Sequence, residues 1–300
     1  MSRLSQIFFT ILVLWFISYA VSNFVTTDFR DKIAVIPLEG TIVGSDLTGF
    51  VPSTTVKSQT LVTFIQQANT DNSVKGILLE INSPGGTVVA SKEIVQAVKD
   101  SEKPIVTYIR EIGTSGAYWV ASASDYIVAD ELSMTGSIGV VSPFLEFSGL
   151  MEDYGVTYNG LKTGKYKDVG SPFKPMTDEE RALLLSKMQV IHDYFVDDVV
   201  ANRNLDKSVV NALANGIYYL GIDAEKSGLI DKTGSRALAL NKTKELANIS
   251  EATELKFEER HYLSDVLGKL SAFSFYHMGL GIGKSLQMMS LKEKNGPFVL

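Results

Sequence analysis

The sequence predicts an α/β fold with a mostly parallel sheet and flanking helices, preceded by one N-terminal transmembrane helix. Two observations carry this. From Lys32 onward, short apolar runs alternate with amphipathic stretches of helical period, and before them Leu4 to Thr27 contains no charged residue. Ile7 to Val25 is apolar except at Thr10, Ser18, Ser22 and Asn23, and a helix of that length rises about 28 Å, close to a ~30 Å hydrocarbon core. Arg3 and the terminal amine hold the positive side inside, so residues 28–300 are expected outside the cytoplasm. A cleaved signal peptide ending at Ala20-Val21-Ser22 is the alternative, and it puts the remainder on the same side.

The elements follow in order. Lys32 to Leu38 reads as a buried strand, and Val43 to Val56, with its Gly, Ser, Asp, Pro and Thr, as a loop. Leu61, Phe64, Ile65 and Ala68 form a helical stripe. Gly76–Ile81 is then a strand, Val88–Val98 a helix, Ile105–Ile109 a strand, Gly116–Ala123 a short helix and Tyr126–Ala129 a strand. Strands separated by helices imply right-handed crossovers and a parallel sheet, whose sites gather at the carboxyl ends of the strands. Val156–Leu161 is strand-like. Thr177 with Glu180 makes a capping box for a helix whose stripe is Leu184, Met188, Ile191, Phe195 and Val199. Ala224–Leu229 and Ala237–Ala247 read as helices, and Leu255 and Phe257 alternate with charged residues as in a late strand. The expected organisation is an anchor or signal peptide over 1–27, a linker and first strand over 28–56, a catalytic domain over 57–250, and a strand and tail over 251–300.

Composition narrows the chemistry. Lys+Arg 28 against Asp+Glu 34 gives a net charge of −6, which builds no broad basic surface, so nucleic acid is not expected as a partner. With Cys 0 and only His192, His261 and His277, thiolate chemistry is excluded and neither a metal nor another cofactor is expected.

Two glycine-bearing turns follow strands. In Asn82-Ser83-Pro84-Gly85-Gly86, adjacent glycines allow the backbone to approach a ligand closely, although such a turn also occurs with no function. In Gly113-Thr114-Ser115-Gly116-Ala117-Tyr118, Ser115 stands at a helix start beside the Gly116 amide. By itself Ser115 reads first as an N-cap, and Ala117 excludes the Gly-x-Ser-x-Gly hydrolase elbow. His192 lies mid-helix and the other histidines lie in the tail, so a lysine is the better candidate base. The segment Thr163–Phe173 carries Lys165 and Lys167 among bulky apolar residues. A lysine with an ordinary value near ~10.4 must fall to about 7–8 to act as base, and most loop lysines do not.

Taken together these motifs, with Thr135-Gly-Ser-Ile-Gly-Val140, Gly164-Lys-Tyr-Lys-Asp168, Pro172-Phe173, Met176-Thr-Asp-Glu-Glu-Arg181 and Ala224-Glu-Lys-Ser-Gly-Leu-Ile-Asp231, resemble the signal peptide peptidase A family of short, single-domain type, within the ClpP/crotonase superfamily. The resemblance covers about residues 35–235. It implies a membrane-anchored serine endopeptidase with a Ser-Lys dyad, Ser115 as nucleophile and Lys167 as general base, with Lys165 and Lys162 as less favoured neighbours. It further implies an oxyanion hole from Gly85 or Gly86 with Gly116. It also implies a ring-shaped homo-oligomer sharing the dyad between subunits, and cleaved signal peptides or similar apolar membrane peptides as substrate, with residues 7–25 contacting lipid. A non-catalytic tethered scaffold of the same fold is the alternative, and a crotonase-type CoA enzyme would be separated from cytoplasmic CoA by the outward topology. The tail from His261 reads as a packing helix with a frayed end, or as an apolar terminus that contacts the membrane or a groove. Asn241-Lys-Thr243 and Asn248-Ile-Ser250 are glycosylation sequons.

Overall fold

The computed structural model describes residues 30–45 and 54–258, together with residues 9 and 12–16, which are helical and exposed. Most of the expected membrane segment and the tail from His261 lie outside the described residues. No helix among the described residues is long and apolar enough to cross a membrane.

The chain enters the sheet with β1 (Lys32–Glu39), followed by β2 (Thr41–Val43) and β3 (Thr55–Lys57), which pair in parallel with each other. The stretch expected to be a loop thus begins and ends in short strands. Helix α1 (Ser58–Thr70) leads to β4 (Val74–Ser83), α2 (Val88–Lys99) to β5 (Ile105–Thr114), and α3 (Gly116–Ser122) to β6 (Tyr126–Ala129). The pairings β1–β4, β4–β5 and β5–β6 are all parallel. Alternation along the strands divides the interior in two. Ala34, Ile36, Ile77, Leu79 and Ile109 join the core under α1, α2 and α3, whereas Ile33, Val35, Leu78 and Val106 face the other side. Both faces are covered, which explains the near-continuous apolar runs. Each fully buried branched side chain contributes about 1.5–3 kcal/mol.

Strand β5 continues five residues past the expected end at Ile109. Its first half pairs with β6, and Ile112–Thr114 pair with β7 (Met134–Gly136). The extension carries Arg110, Glu111 and Gly113, so no apolar pattern announced it. It sets the position of Ser115.

Beyond Ile138, which is still fully buried, the chain leaves the core. Between residues 141 and 167, only Ser148 and Met151 are even half-buried. The segment contains one short helix, α4 (Ser148–Asp153). Val156–Leu161, strand-like in sequence, forms no strand: no partner strand satisfies its backbone, and its residues are exposed. Order returns with α5 (Asp178–Arg203), whose capping box is complete: Glu180 N donates to Thr177 Oγ1 at 3.2 Å and Thr177 N to Glu180 Oε2 at 3.0 Å. Only the end of its stripe, Phe195 and Val199, is buried; Leu184, Met188 and Ile191 are half-buried and line clefts.

The remaining elements are α6 (Lys207–Leu213), β8 (Tyr218–Leu220), α7 (Gly221–Lys226), β9 (Lys232–Thr233), α8 (Arg236–Leu246) and β10 (Thr253–Lys256). The sheet runs β10-β1-β4-β5-β6-β9, with β7 on the far half of β5 and β8 antiparallel to β7. Gly228 at φ 78° ends the α7 region, where Leu229 N donates to Ala224 O at 2.9 Å. Helix α8 covers the second sheet face through Ala239. It also buries Thr243 of the first sequon, whose hydroxyl donates to Ala239 O at 2.9 Å, while Asn241 of that sequon and Asn248 and Ser250 of the second are exposed.

Candidate active site

Ser115 joins β5 to α3 in a conformation that side chains rarely adopt, φ 53° and ψ −126°. Such backbone costs about 1–3 kcal/mol and persists only where the surroundings impose it. Here Ser115 N donates to Gly136 O at 2.8 Å, and Trp119 N donates to Ser115 O at 3.0 Å. Although Ser115 occupies the N-cap position, its hydroxyl makes no cap bond, which removes the capping explanation for a serine here. Helix α3 is buried along its whole length. Tyr118 donates to Leu229 O at 2.9 Å, and burial raises its phenol far above the ordinary value. Trp119 donates to Asp198 Oδ2 at 2.8 Å, and its ring stacks on Phe195 with centroids 4.7 Å apart.

The other glycine turn lies against this serine. A Cβ on Gly85, which has φ 94°, would stand 2.7 Å from Gly116 N and 2.9 Å from Ser115 Cβ. A Cβ on Gly86 would stand 1.9 Å from the Ile42 carbonyl oxygen, because β2 docks on the turn: Ile42 N donates to Gly85 O and Thr87 N to Ile42 O, each at 2.9 Å. A Cβ on Gly116 would fall 2.2 Å from Ser91 Oγ and 3.4 Å from Gly86 N. These positions demand glycine for space. The Gly85 amide is committed to Ser83 Oγ at 3.1 Å. Among the described residues, the amides of Gly86 and Gly116 have no acceptor. Two uncommitted N–H groups therefore stand beside one uncommitted hydroxyl, at the mouth of a cleft of about 80 Å³ lined also by Val88, Trp119 and Phe195. Sequence reasoning missed Ile42 and Ser91. Neither carries a motif, since their roles come only from docking on these glycines.

Lys167 is elsewhere. It does not line the Ser115 cleft, and its amide donates to Gly164 O at 3.3 Å within a turn of the exposed segment. Its neighbours are all paired: Lys162 with Asp168, Lys165 with Glu179 and Lys174 with Glu180, each at 2.6 Å. The hydrogen bond that Lys165 donates to Glu179 raises its ammonium and the one that Lys174 donates to Glu180 raises that of Lys174, the opposite of what a base requires. Among the described residues, the Lys167 ammonium has no carboxylate partner. His192 hydrogen-bonds the Ala214 carbonyl through Nε2 at 2.9 Å and does not line the cleft.

A larger groove of about 530 Å³ adjoins the cleft through Val140 and Val141, which line both. Its walls are mostly apolar, with Phe144, Met176, Leu184 and Met188, and they include Arg181 and Glu146.

The family model for Peptidase family S49 matches residues 97–250, and that for Clp protease matches residues 50–131. A protein of Enterococcus faecium named "Putative signal peptide peptidase SppA" is 34% identical over 270 residues, covering 88% of this chain and 78% of the relative. Protease 4 of Haemophilus influenzae is 34% identical over 229 residues, 75% of this chain but 36% of that protein. The solved structure of a mutant of the 1510-N membrane-bound stomatin-specific protease aligns with TM-score 0.51 at 14% identity, over 77% of this chain and 99% of that one, a likeness of fold.

Proposed function

The chain belongs to peptidase family S49 and is a serine peptidase; we propose that Ser115 is its nucleophile and Lys167 its general base. One observation carries the first assignment: a strained serine whose hydroxyl caps nothing, beside two amides without acceptors. A neutral Lys167 takes the proton of Ser115 Oγ as that oxygen attacks a peptide carbonyl. The amides of Gly86 and Gly116 hold the developing oxyanion, and the same lysine then activates water to release the acyl group. Gly85 shapes the turn, with its own amide turned to Ser83.

Within one chain Lys167 is absent from the cleft. The dyad is therefore completed by a neighbouring copy in a ring-shaped homo-oligomer, which also covers exposed apolar side chains of residues 145–167, Leu145 and Leu161 among them. The substrates are cleaved signal peptides or similar apolar peptides, suited to the apolar groove, and residues 7–25 anchor the enzyme with its catalytic domain on the extracytoplasmic side.

The test is peptide hydrolysis by folded Ser115→Ala and Lys167→Ala variants. Each alone should be inactive, and wild-type activity in either rejects the assignment. Mixing the two should restore part of the activity, since some mixed contacts join an intact serine to an intact lysine. Activity should climb as pH rises through the neutral range, and a flat profile argues against a lysine base.

A further inference from the structure

The Met176–Arg181 motif is only partly used by this reading. Thr177 and Glu180 cap α5, but Arg181 caps nothing and lines the groove next to the Ser115 cleft. Its guanidinium makes no ion pair or side-chain hydrogen bond among the described residues. The nearby carboxylates are otherwise engaged: Glu179 with Lys165 and Tyr166, Glu180 with Lys174 and the Thr177 amide, and Glu146 with the Ser148 amide. An always-charged planar donor thus stands without an acceptor among the described residues in a groove whose other walls are apolar apart from Ser142 and Glu146.

We propose that Arg181 binds the free C-terminal carboxylate of an apolar peptide lying in this groove, so that the enzyme recognises released fragments rather than internal segments of intact chains. Two facts fix the chemistry. The groove is continuous with the Ser115 cleft through Val140 and Val141, so one extended peptide can occupy both. A guanidinium matches a carboxylate through paired N–H donors, and an otherwise apolar peptide offers its terminus as the natural partner. The helix supplies a ruler. On α5, Ile191 lines the cleft and Arg181 the groove, and ten helical residues rise about 15 Å. An extended peptide covers that in about four to five residues. Cleavage is expected about that far from the carboxylate end.

This inference rests on Ser115 as the nucleophile. The test uses matched apolar peptides differing only in a C-terminal acid or amide, cut by wild type, Arg181→Gln and Arg181→Lys, each first checked for folding and oligomeric mass. Wild type should favour the acid about ten- to hundred-fold in kcat/KM, mainly through KM. Arg181→Gln should bring the ratio to one and Arg181→Lys should keep part of it. Equal cleavage of both peptides by wild type overturns the proposal, as does an Arg181→Gln variant that retains the preference or one that loses both activities together with its oligomeric mass. If Ser115→Ala still cuts either peptide at the wild-type rate, the nucleophile assignment fails instead.

Discussion

The two halves of the proposed dyad sit in opposite surroundings. Ser115 is enclosed by β5, β7, the Gly-Gly turn and a wholly buried helix, and its backbone and both flanking glycines are fixed by contacts with remote residues. Lys167 belongs to an exposed segment with scarcely a half-buried residue from 141 to 167. A strained nucleophile needs a rigid frame, because the fold must offset the strain. A base supplied from another surface needs the reverse, a segment left free of its own core. The neighbouring lysines are neutralised by carboxylates within the chain while Lys167 has no carboxylate partner among the described residues, so the exposed segment has its own internal order.

The largest effect that could break this contrast is loss of either partner. Ser115→Ala and Lys167→Ala should each lower kcat by at least about 10³-fold in a peptide assay. If a purified monomer of wild type were as active as the oligomer, completion by a second copy would be wrong. Next, Gly86→Ala should cost about 10²–10³ in rate, as for a lost oxyanion donor. The added methyl meets the Ile42 carbonyl at 1.9 Å and must displace the turn. Gly164→Ala, in the open segment where an added Cβ has nothing within 4 Å, should cost far less, through its φ of 91° alone. Comparable losses in the two variants would erase the distinction between frame and arm.

A smaller effect sharpens the rigid half. Tyr118→Phe leaves the buried Leu229 carbonyl without its donor and should lower stability by about 1–3 kcal/mol in urea unfolding, with the same slope. The smallest concerns Glu225, in the element after β8. Hydrogen bonds first from Lys232 and then from Thr233 bring its carboxyl down from 4.5 to about 2. A carboxyl lowered by folding stabilises above its unfolded value, and that share is lost as pH falls from 4.5 toward about 2. Glu225→Gln should flatten this part of the acid-unfolding curve slightly, because the group is partly exposed and screened. An identical curve would show that the bonds contribute nothing.

Much of the frame was legible in the sequence. The strands at Lys32, Gly76 and Tyr126, the helices at Val88 and Gly116 and the capping box of α5 all have local causes: apolar period, turn residues and a side-chain cap. The extension of β5 to Thr114 was not legible, since it is held by pairing with β7 rather than by its own composition. Val156–Leu161 failed the opposite way, with strand-forming residues and no strand to pair with. The stripe of α5 was correctly periodic, but its first half proved to be cleft wall rather than core, because periodicity reports a face and not what covers it.

By itself the sequence determined the order of elements, the absence of cysteine chemistry, the two glycine turns and the serine and lysine motifs. Each is a property of neighbouring residues, and local sterics and burial period suffice to encode it. Only the tertiary structure decided that the Ser115 hydroxyl caps nothing, that the Gly86 amide has no acceptor among the described residues while that of Gly85 is spent, and that Lys167 does not line the Ser115 cleft within its own chain. These outcomes depend on β2 docking on the Gly-Gly turn and on β7 fixing Ser115, contacts between residues far apart in the chain that no short pattern can specify.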